Sequence, residues 1–253
     1  MRVASAREEV GAREEVGGLD VRPKCFSARI KMARGGFRKG AGRKKTGRRV
    51  GGPHRRRPEL DARHPVHVVL RSHRKLSWRE GRTYRVLRRV LGFYLGNPDF
   101  RICHISIQKR HMHLIVEAAS REALSRGMKS FAIRAARAIN GDWGSCGKVF
   151  TYRYHASQIR SARYARHALA YVLNNWRRHR EDFANGRMLS ANLDEYSSAL
   201  GFDGWTVTFA RPRDYDPLPV SPPETWLLRS GWRRYGLIDP HECPGPLEHT
   251  ARW

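Results

Sequence analysis

Residues 111–115 read His-Met-His-Leu-Ile and lie within an apolar run, residues 110–118, which predicts a β-strand. Side chains of a strand point alternately to its two faces, so His111 and His113 share one face while Met112 and Leu114 occupy the other. Two imidazoles on one rigid strand can each offer a neutral nitrogen to the same cation. The pair has an equally simple structural interpretation, two half-buried histidines, and the strand alone does not distinguish the two.

The hydrophobic periodicity around this strand predicts seven elements in the order β-α-β-β-α-β-α. Strands are expected at about residues 66–71, 101–108, 110–118 and 149–155, and helices at about 78–95, 121–139 and 161–180. Ser77 is the expected cap of the first helix, and Gly141 the expected stop of the second. In the second strand, alternation predicts Cys103, Ile105 and Ile107 on one face.

The first six elements predict a ferredoxin-like split βαβ core, an α+β fold with helices on one face of an antiparallel sheet. The seventh is an extra helix, which can lie against the face that carries His111 and His113. We expect three regions along the chain: a disordered basic N-terminal arm (1–62), the folded domain (63–182) and a partly irregular C-terminal extension (183–253). In the extension, an aromatic cluster around Trp226 and Trp232 is expected to pack on the core or to stack on bases.

The charge of the chain points to a polyanionic partner. Lys and Arg number 50 against 23 Asp and Glu, a net charge of +27, and nucleic acid is the commonest partner of such proteins. Residues 34–57 alone hold 11 Lys and Arg and no acid. This segment is either an arm that contacts phosphates or a solvated tail. As an arm, its expected phosphate contacts are Arg43, Lys44, Lys45, Arg48 and Arg49.

A membrane partner is not expected, because no apolar run approaches the roughly 20 residues that span a bilayer. The first residues include early charges rather than an apolar segment, so a secretory signal is not indicated. The expected location is the cytoplasm, in association with the nucleoid.

The last predicted helix carries a row of polar side chains. His167, Tyr171 and Asn175 are spaced by four residues and therefore line one side of the helix, which Arg178 extends. Tyrosine is a possible covalent nucleophile, and a carboxamide oxygen suits a hard cation such as Mg²⁺ or Mn²⁺. Tyr171 is otherwise an ordinary amphipathic-helix residue, and Tyr164, two turns earlier, is a rival nucleophile.

The motif His111-Met112-His113-Leu114, followed by Tyr171-Val172-Leu173-Asn174-Asn175, resembles the single-tyrosine HUH transposases. It is most similar to the REP-associated tyrosine transposases, which are related to the IS200-like transposases. The resemblance covers about residues 63–182, and Trp176 stands where many relatives have a proline.

The resemblance implies a metal-dependent tyrosine transposase. His111, His113 and Asn175 are then ligands of Mg²⁺ or Mn²⁺, and the two histidines and Tyr171 are the catalytic residues. Arg178, which extends the row of Tyr171, is an expected DNA contact on the basis of its charge and position. The implied activity is nicking and rejoining of single-stranded or hairpin DNA through a 5′-phosphotyrosine intermediate, with a homodimer as a possible assembly.

Two other functions stay open at this point. A domesticated relative can hold a nucleic-acid hairpin without cutting it, and the basic arm fits that function equally well. A ferredoxin-like RNA-binding protein is the third hypothesis, but the strands lack the aromatic signature of an RNA-recognition motif. His67 and His104, on neighbouring predicted strands, are interpreted as structural.

Overall fold

Four antiparallel strands form the central sheet, in the order β2-β3-β1-β4. The strands are β1 (Val66–Arg71), β2 (Phe100–Ile107), β3 (His111–Ala118) and β4 (His155–Gln158). The computed structural model describes residues 58–73, 77–151, 153–184, 187–188, 193–210, 216–243 and 245. The arm residues 43–49 and most of the predicted N-terminal arm lie outside the described residues.

Two helices cover one face of this sheet. They are α1 (Gly81–Gly92) and α2 (Arg121–Asp142), which pack on each other and enclose an apolar core with the inward side chains of the strands. Met112, Leu114 and Val116 of β3 are fully buried in this core. The predicted α+β fold, with its ferredoxin-like order of strands and helices, is confirmed.

The opposite face of the sheet is covered by α3 (Ala162–Leu173) and by the C-terminal part of the chain. A one-turn helix, α4 (Asn175–Arg178), follows α3 directly. The remaining elements are a two-residue hairpin, β5 (Phe183–Ala184) and β6 (Arg187–Met188), and α5 (Trp226–Arg229), with 3₁₀ turns at Ser198–Gly201 and Gly231–Tyr235. Of the predicted aromatic cluster, Trp232 is buried against α3, whereas Trp226 is half exposed.

The expected alternation of β2 is wrong at Cys103. The register between β2 and β3 shifts between Ile102 and His104, and Cys103 therefore joins the core beneath α3. Ile105 and Ile107 face the core beneath α1 and α2. Such a bulge inserts one unpaired residue and reverses the faces that follow it, which a strict period of two cannot anticipate.

The fourth strand begins later than expected. Phe150 forms a single bridge with Ser72, whereas continuous pairing starts at His155 opposite Val69. Between these two pairings β1 spans three residues, from 69 to 72, whereas the paired segment spans five, from 150 to 155. The paired segment therefore has two extra residues, which interrupt the ladder. Regular pairing is therefore confined to His155–Gln158 rather than residues 149–155.

Helix ends also differ from the expected ones. Glu80, and not Ser77, precedes the first helical residue, and its side chain makes no capping hydrogen bond. α2 continues through Gly141 to Asp142, and the chain turns away at Gly144, whose φ of 56° suits glycine. The predicted long third helix breaks at Asn174 into α3 and α4.

The C-terminal part of the chain covers the free edge of β2. The Ile107 amide donates to the carbonyl of Tyr196 (2.9 Å), and the Ser221 amide donates to the carbonyl of Ile102 (2.8 Å). These bonds satisfy edge groups that would otherwise be open to pairing with another chain. No described helix is long and apolar enough to cross a membrane.

Candidate active site

The two histidines of β3 occupy the face that α3 covers. β3 pairs with β1 in a register that sets His111 opposite Arg71 and His113 opposite Val69. The two rings lie side by side, with centroids 4.9 Å apart and planes at 81°. His113 is buried and His111 is partly exposed, so the pair lies at the rim of the space between sheet and helix.

α3 places Tyr171 against this pair. The phenol ring meets the His113 ring edge-on, with centroids 5.4 Å apart, and the edge of the His67 ring at 5.9 Å. Tyr171 is partly exposed, so a bound chain can reach it from solvent. Tyr164, the rival nucleophile, packs with the core beneath α3, and burial raises its pKa.

Asn175 follows four residues later, across the break at Asn174. The Asn174 side chain ends α3 by donating to the carbonyls of Asp239 (3.0 Å) and Glu242 (2.9 Å). The chain then starts α4, whose first residue is the buried Asn175. Its carboxamide lies against the His111 imidazole, and in the part of the chain that the structure describes neither of its polar atoms has a partner of full hydrogen-bond geometry.

His67 of β1 orients His113. Their rings are stacked with planes 1° apart, and His67 Nε2 lies 2.9 Å from His113 Nδ1. This hydrogen bond occupies Nδ1 of His113, and its Nε2 is buried with no hydrogen-bond partner among the described residues. An imidazole held in this way presents one fixed nitrogen to a ligand, as metal-bound histidines commonly do.

The imidazoles of the site are held in the neutral form. Burial lowers the pKa of His111 to about 4, with smaller contributions from His179 and Arg71. Burial also places the pKa of His113 well below its ordinary value, helped by His67 and His111. Since the neutral imidazole is the form that binds a metal, these residues need not lose a proton to do so at neutral pH.

A divalent cation fits the polar atoms that this site leaves without partners. His113 Nε2 and the Asn175 carboxamide are buried polar groups, and such groups ordinarily have partners. A cation held by these groups would satisfy them, and His111, which contacts both residues, could contribute its imidazole. A third histidine, His179, brings a ligand nitrogen into the same cluster, in which the nitrogens of His111, His113 and His179 all lie within 4.8 Å of one another.

A comparison with known protein families finds one family model that matches the part of the chain containing this site. Residues 62–175 match the family model described as "Transposase IS200 like", and the match contains both β3 histidines, Tyr171 and Asn175. This part of the chain is thus similar to the IS200-like transposases. The domain is therefore of transposase type, and the resemblance recognised in the motifs of β3 and α3 is confirmed.

One solved structure similar to the IS200-like domain is described as "Structure of the REP associates tyrosine transposase bound to a REP hairpin". It is 17% identical, with a TM-score of 0.43, over 50% of this chain and 74% of that one. A search of curated protein sequences finds no match.

Two arginine side chains flank the site of the IS200-like domain. Arg178, an expected DNA contact, has its guanidinium carbon 5.8 Å from the centre of the Tyr171 ring. Arg71, which sequence reasoning did not single out, is exposed beside His111 and contributes to the low pKa of both β3 histidines. Together they make the entrance to the site electropositive, which suits a phosphate.

Two further histidines lie at the site. His67, for which the sequence predicts a structural role, contacts His113 through the pairing of β1 with β3, which the sequence does not display. His179 had a local signal, because it follows Asn175 by four residues and continues the row of His167, Tyr171 and Asn175.

Proposed function

We propose that the chain nicks and rejoins single-stranded DNA at hairpins through a 5′-phosphotyrosine intermediate. The observation that carries this proposal is the contact of Tyr171 with His113, whose Nε2 is buried without a hydrogen-bond partner among the described residues. A nucleophile beside unpartnered metal-ligand atoms is the arrangement that phosphoryl transfer requires. The family match supports the transposase class, and the chemistry assigned to each residue is part of the proposal.

We assign His111, His113 and Asn175 as ligands of a divalent cation, Mg²⁺ or Mn²⁺. When bound, the cation supplies Lewis-acid polarisation of a phosphate oxygen and an anchor for the scissile group. His67 holds the ring of His113 in place through its hydrogen bond to Nδ1.

Tyr171 is the nucleophile of the proposed reaction. The phenol gives up its proton to solvent water, Oη forms a bond to phosphorus, and the bond from phosphorus to the 3′ oxygen breaks. The leaving oxygen takes a proton, so the products are a 5′-phosphotyrosine and a free 3′-OH. Attack of a 3′-OH on the phosphotyrosine reverses these steps, and joining therefore needs no external energy.

Arginine and lysine side chains around the site hold the DNA. Arg178 lies over the Tyr171 ring, and Arg71 flanks His111, so both guanidinium groups are placed to contact the phosphates next to the cut. The arm residues Arg43, Lys44, Lys45, Arg48 and Arg49 add contacts that carry no sequence information. In the cell this activity belongs with the nucleoid, and association of two copies is part of the proposal.

A covalent-adduct assay tests the proposed activity. Protein is mixed with a varied set of hairpin oligonucleotides carrying a label on the 3′ side of the expected cut, with and without Mg²⁺ or Mn²⁺. The phosphotyrosine retains that fragment, so a metal-dependent band of slower mobility on a denaturing gel is expected. Tyr171→Phe should form no such band, and His111→Ala should retain much of its DNA affinity without forming one.

The alternative function, a hairpin-binding protein that does not cut, gives a different result in the same assay. It predicts tight, salt-sensitive binding of hairpins by the wild type and no band with any of them. Persistence of cleavage in His111→Ala would show that the metal site is assigned to the wrong residues.

A further inference from the structure

His179 lies against the metal-ligating pair although it falls outside the residues that match the family. Its ring centroid is 4.7 Å from that of His111, with the planes at 73°. The ligand nitrogens of His111, His113 and His179 lie within 4.8 Å of one another. Ligands of a single ion lie about 2.1 Å from it, so they are separated by no more than about 4.2 Å. The cluster is therefore within about 0.6 Å of the span that one ion requires, and His179 is its exposed member.

The backbone explains why His179 reaches this position. Its amide donates to the carbonyl of Asn175 (3.2 Å), which places the two residues one turn apart on the same side of α4. Arg180 follows with a φ of 53°, a left-handed conformation that turns the chain away directly after His179.

The C-terminal part of the chain fixes α4. Arg177 Nε donates to the carbonyl of Pro240 (2.8 Å), and the Asn174 side chain donates to the carbonyls of Asp239 and Glu242. Trp176, the second residue of α4, is buried. α4 is therefore a fixed platform that presents Asn175 and His179 to the two histidines of β3.

We propose that His179 is a further ligand of the divalent cation, which makes the site one of three imidazoles and one carboxamide oxygen. The inference rests on the metal site of the proposed function and goes beyond its assigned ligands. Imidazole suits transition-metal ions, whereas Mg²⁺ prefers oxygen ligands. The site therefore prefers Mn²⁺, Co²⁺ or Ni²⁺ to Mg²⁺, and His179 sets that preference.

Metal binding to the untagged full chain, without DNA, tests this inference. Co²⁺ and Mg²⁺ are titrated calorimetrically at pH 7.5 into the wild type, His179→Asn and the control His241→Asn, which alters an exposed histidine near the same turn. His179→Asn should weaken Co²⁺ binding at least about tenfold. Mutation of a residue that only hydrogen-bonds to a metal ligand can already cause a loss of this size. Its Mg²⁺ affinity should change much less, and His241→Asn should match the wild type for both ions.

X-ray absorption of the Co²⁺ complexes counts the imidazoles directly. Three are expected in the wild type and two in His179→Asn. Equal Co²⁺ affinity and equal imidazole counts in the two proteins would overturn the role of His179. Equal affinity of the wild type for Co²⁺ and Mg²⁺ would overturn the preference.

The experiment also separates this inference from the proposed function. Tyr171→Phe should bind Co²⁺ as the wild type does, because the tyrosine is not a ligand. A wild type that binds neither ion would contradict the metal site as a whole, including His111, His113 and Asn175. A wild type that binds Co²⁺ while His179→Asn binds it equally well would contradict only the inference about His179.

Discussion

The two faces of the sheet differ in chemistry although the same strands form both. Met112 and Leu114 of β3 point into an apolar core beneath α1 and α2, where both side chains are fully buried among other apolar side chains. β3 sends His111 and His113 towards α3, where Nε2 of His113 is buried and has no partner within the described ranges. An unsatisfied buried polar group costs about 1–3 kcal/mol of folding free energy. The first face stabilises the fold, and the second retains groups whose cost the proposed cation would offset.

Leu114→Ala should have the largest effect on stability. Leu114 is fully buried between the sheet and the two helices, and truncation of such a residue leaves a cavity. We expect a loss of about 3 kcal/mol in the free energy of unfolding, measured by urea denaturation. The fraction that stays folded should keep its metal affinity. A loss below about 1 kcal/mol would contradict the view that this face stabilises the fold.

Glu117→Gln should have the next largest effect, because Glu117 fastens the C-terminal part of the chain to the second face. The buried carboxylate accepts hydrogen bonds from Arg101 (3.0 Å), the Glu224 amide (2.9 Å) and the Thr225 hydroxyl (2.8 Å). Removing its charge should cost about 2 kcal/mol in a urea titration.

The rate of limited proteolysis is a second measure of how Glu117 holds the C-terminal part of the chain. Cleavage near residues 224–225 should become faster in Glu117→Gln. Glu224→Gln is the matched control, since Glu224 pairs with the same Arg101 from an exposed position and should change little. Equal behaviour of the two variants would argue that Glu117 is not the anchor.

His104 should make the second face sensitive to acid. Burial lowers the pKa of His104 from 6.5 to about 4, against smaller opposing effects of Glu117 and Asp203. Between these values the unfolded chain binds a proton that the folded chain does not, so stability falls as the pH falls from about 6.5 towards 4. From pH 7 to pH 5 the wild type should lose about 2 kcal/mol more than His104→Gln.

The difference between these two proteins isolates His104, because the other histidines titrate equally in both. The measurement is urea denaturation at a series of pH values in the presence of a chelator. Parallel pH profiles for wild type and His104→Gln would contradict a neutral, buried His104.

His113→Leu should have the smallest effect on stability and a complete effect on the proposed chemistry. Leucine removes the unpartnered Nε2 but also the hydrogen bond to His67, so the two contributions oppose each other. We expect a change below about 1 kcal/mol in chelating buffer, together with loss of adduct formation. A destabilisation as large as that of Leu114→Ala would place His113 among the structural residues.

Local periodicity was sufficient to predict the fold class and the strand that carries His111 and His113. The spacing of Tyr171 and Asn175 predicted one continuous helix, whereas the structure places them in α3 and α4, on either side of the break at Asn174. These patterns depend on residues near each other in sequence, which is why they could be read without a structure.

Features that depend on distant residues were not predictable in this way. The bulge at Cys103 appears only when β2 pairs with β3, and the contact of His67 with His113 requires the register of β1. The break at Asn174 depends on carbonyls of residues 239 and 242, more than 60 residues further along the chain. The later start of β4 likewise follows from two extra residues in the loop that leads to it.

Mapping the DNA attachment site tests the central claim most directly. Tryptic cleavage after Arg166 and Arg177 releases residues 167–177, which contain Tyr171 as their only tyrosine, whereas Tyr164 falls in residues 164–166. After nuclease trimming of the covalent adduct, mass spectrometry should find the nucleotide on residues 167–177, and none in Tyr171→Phe. A nucleotide on residues 164–166, or an adduct that persists in Tyr171→Phe, would contradict the assignment of Tyr171 as the nucleophile.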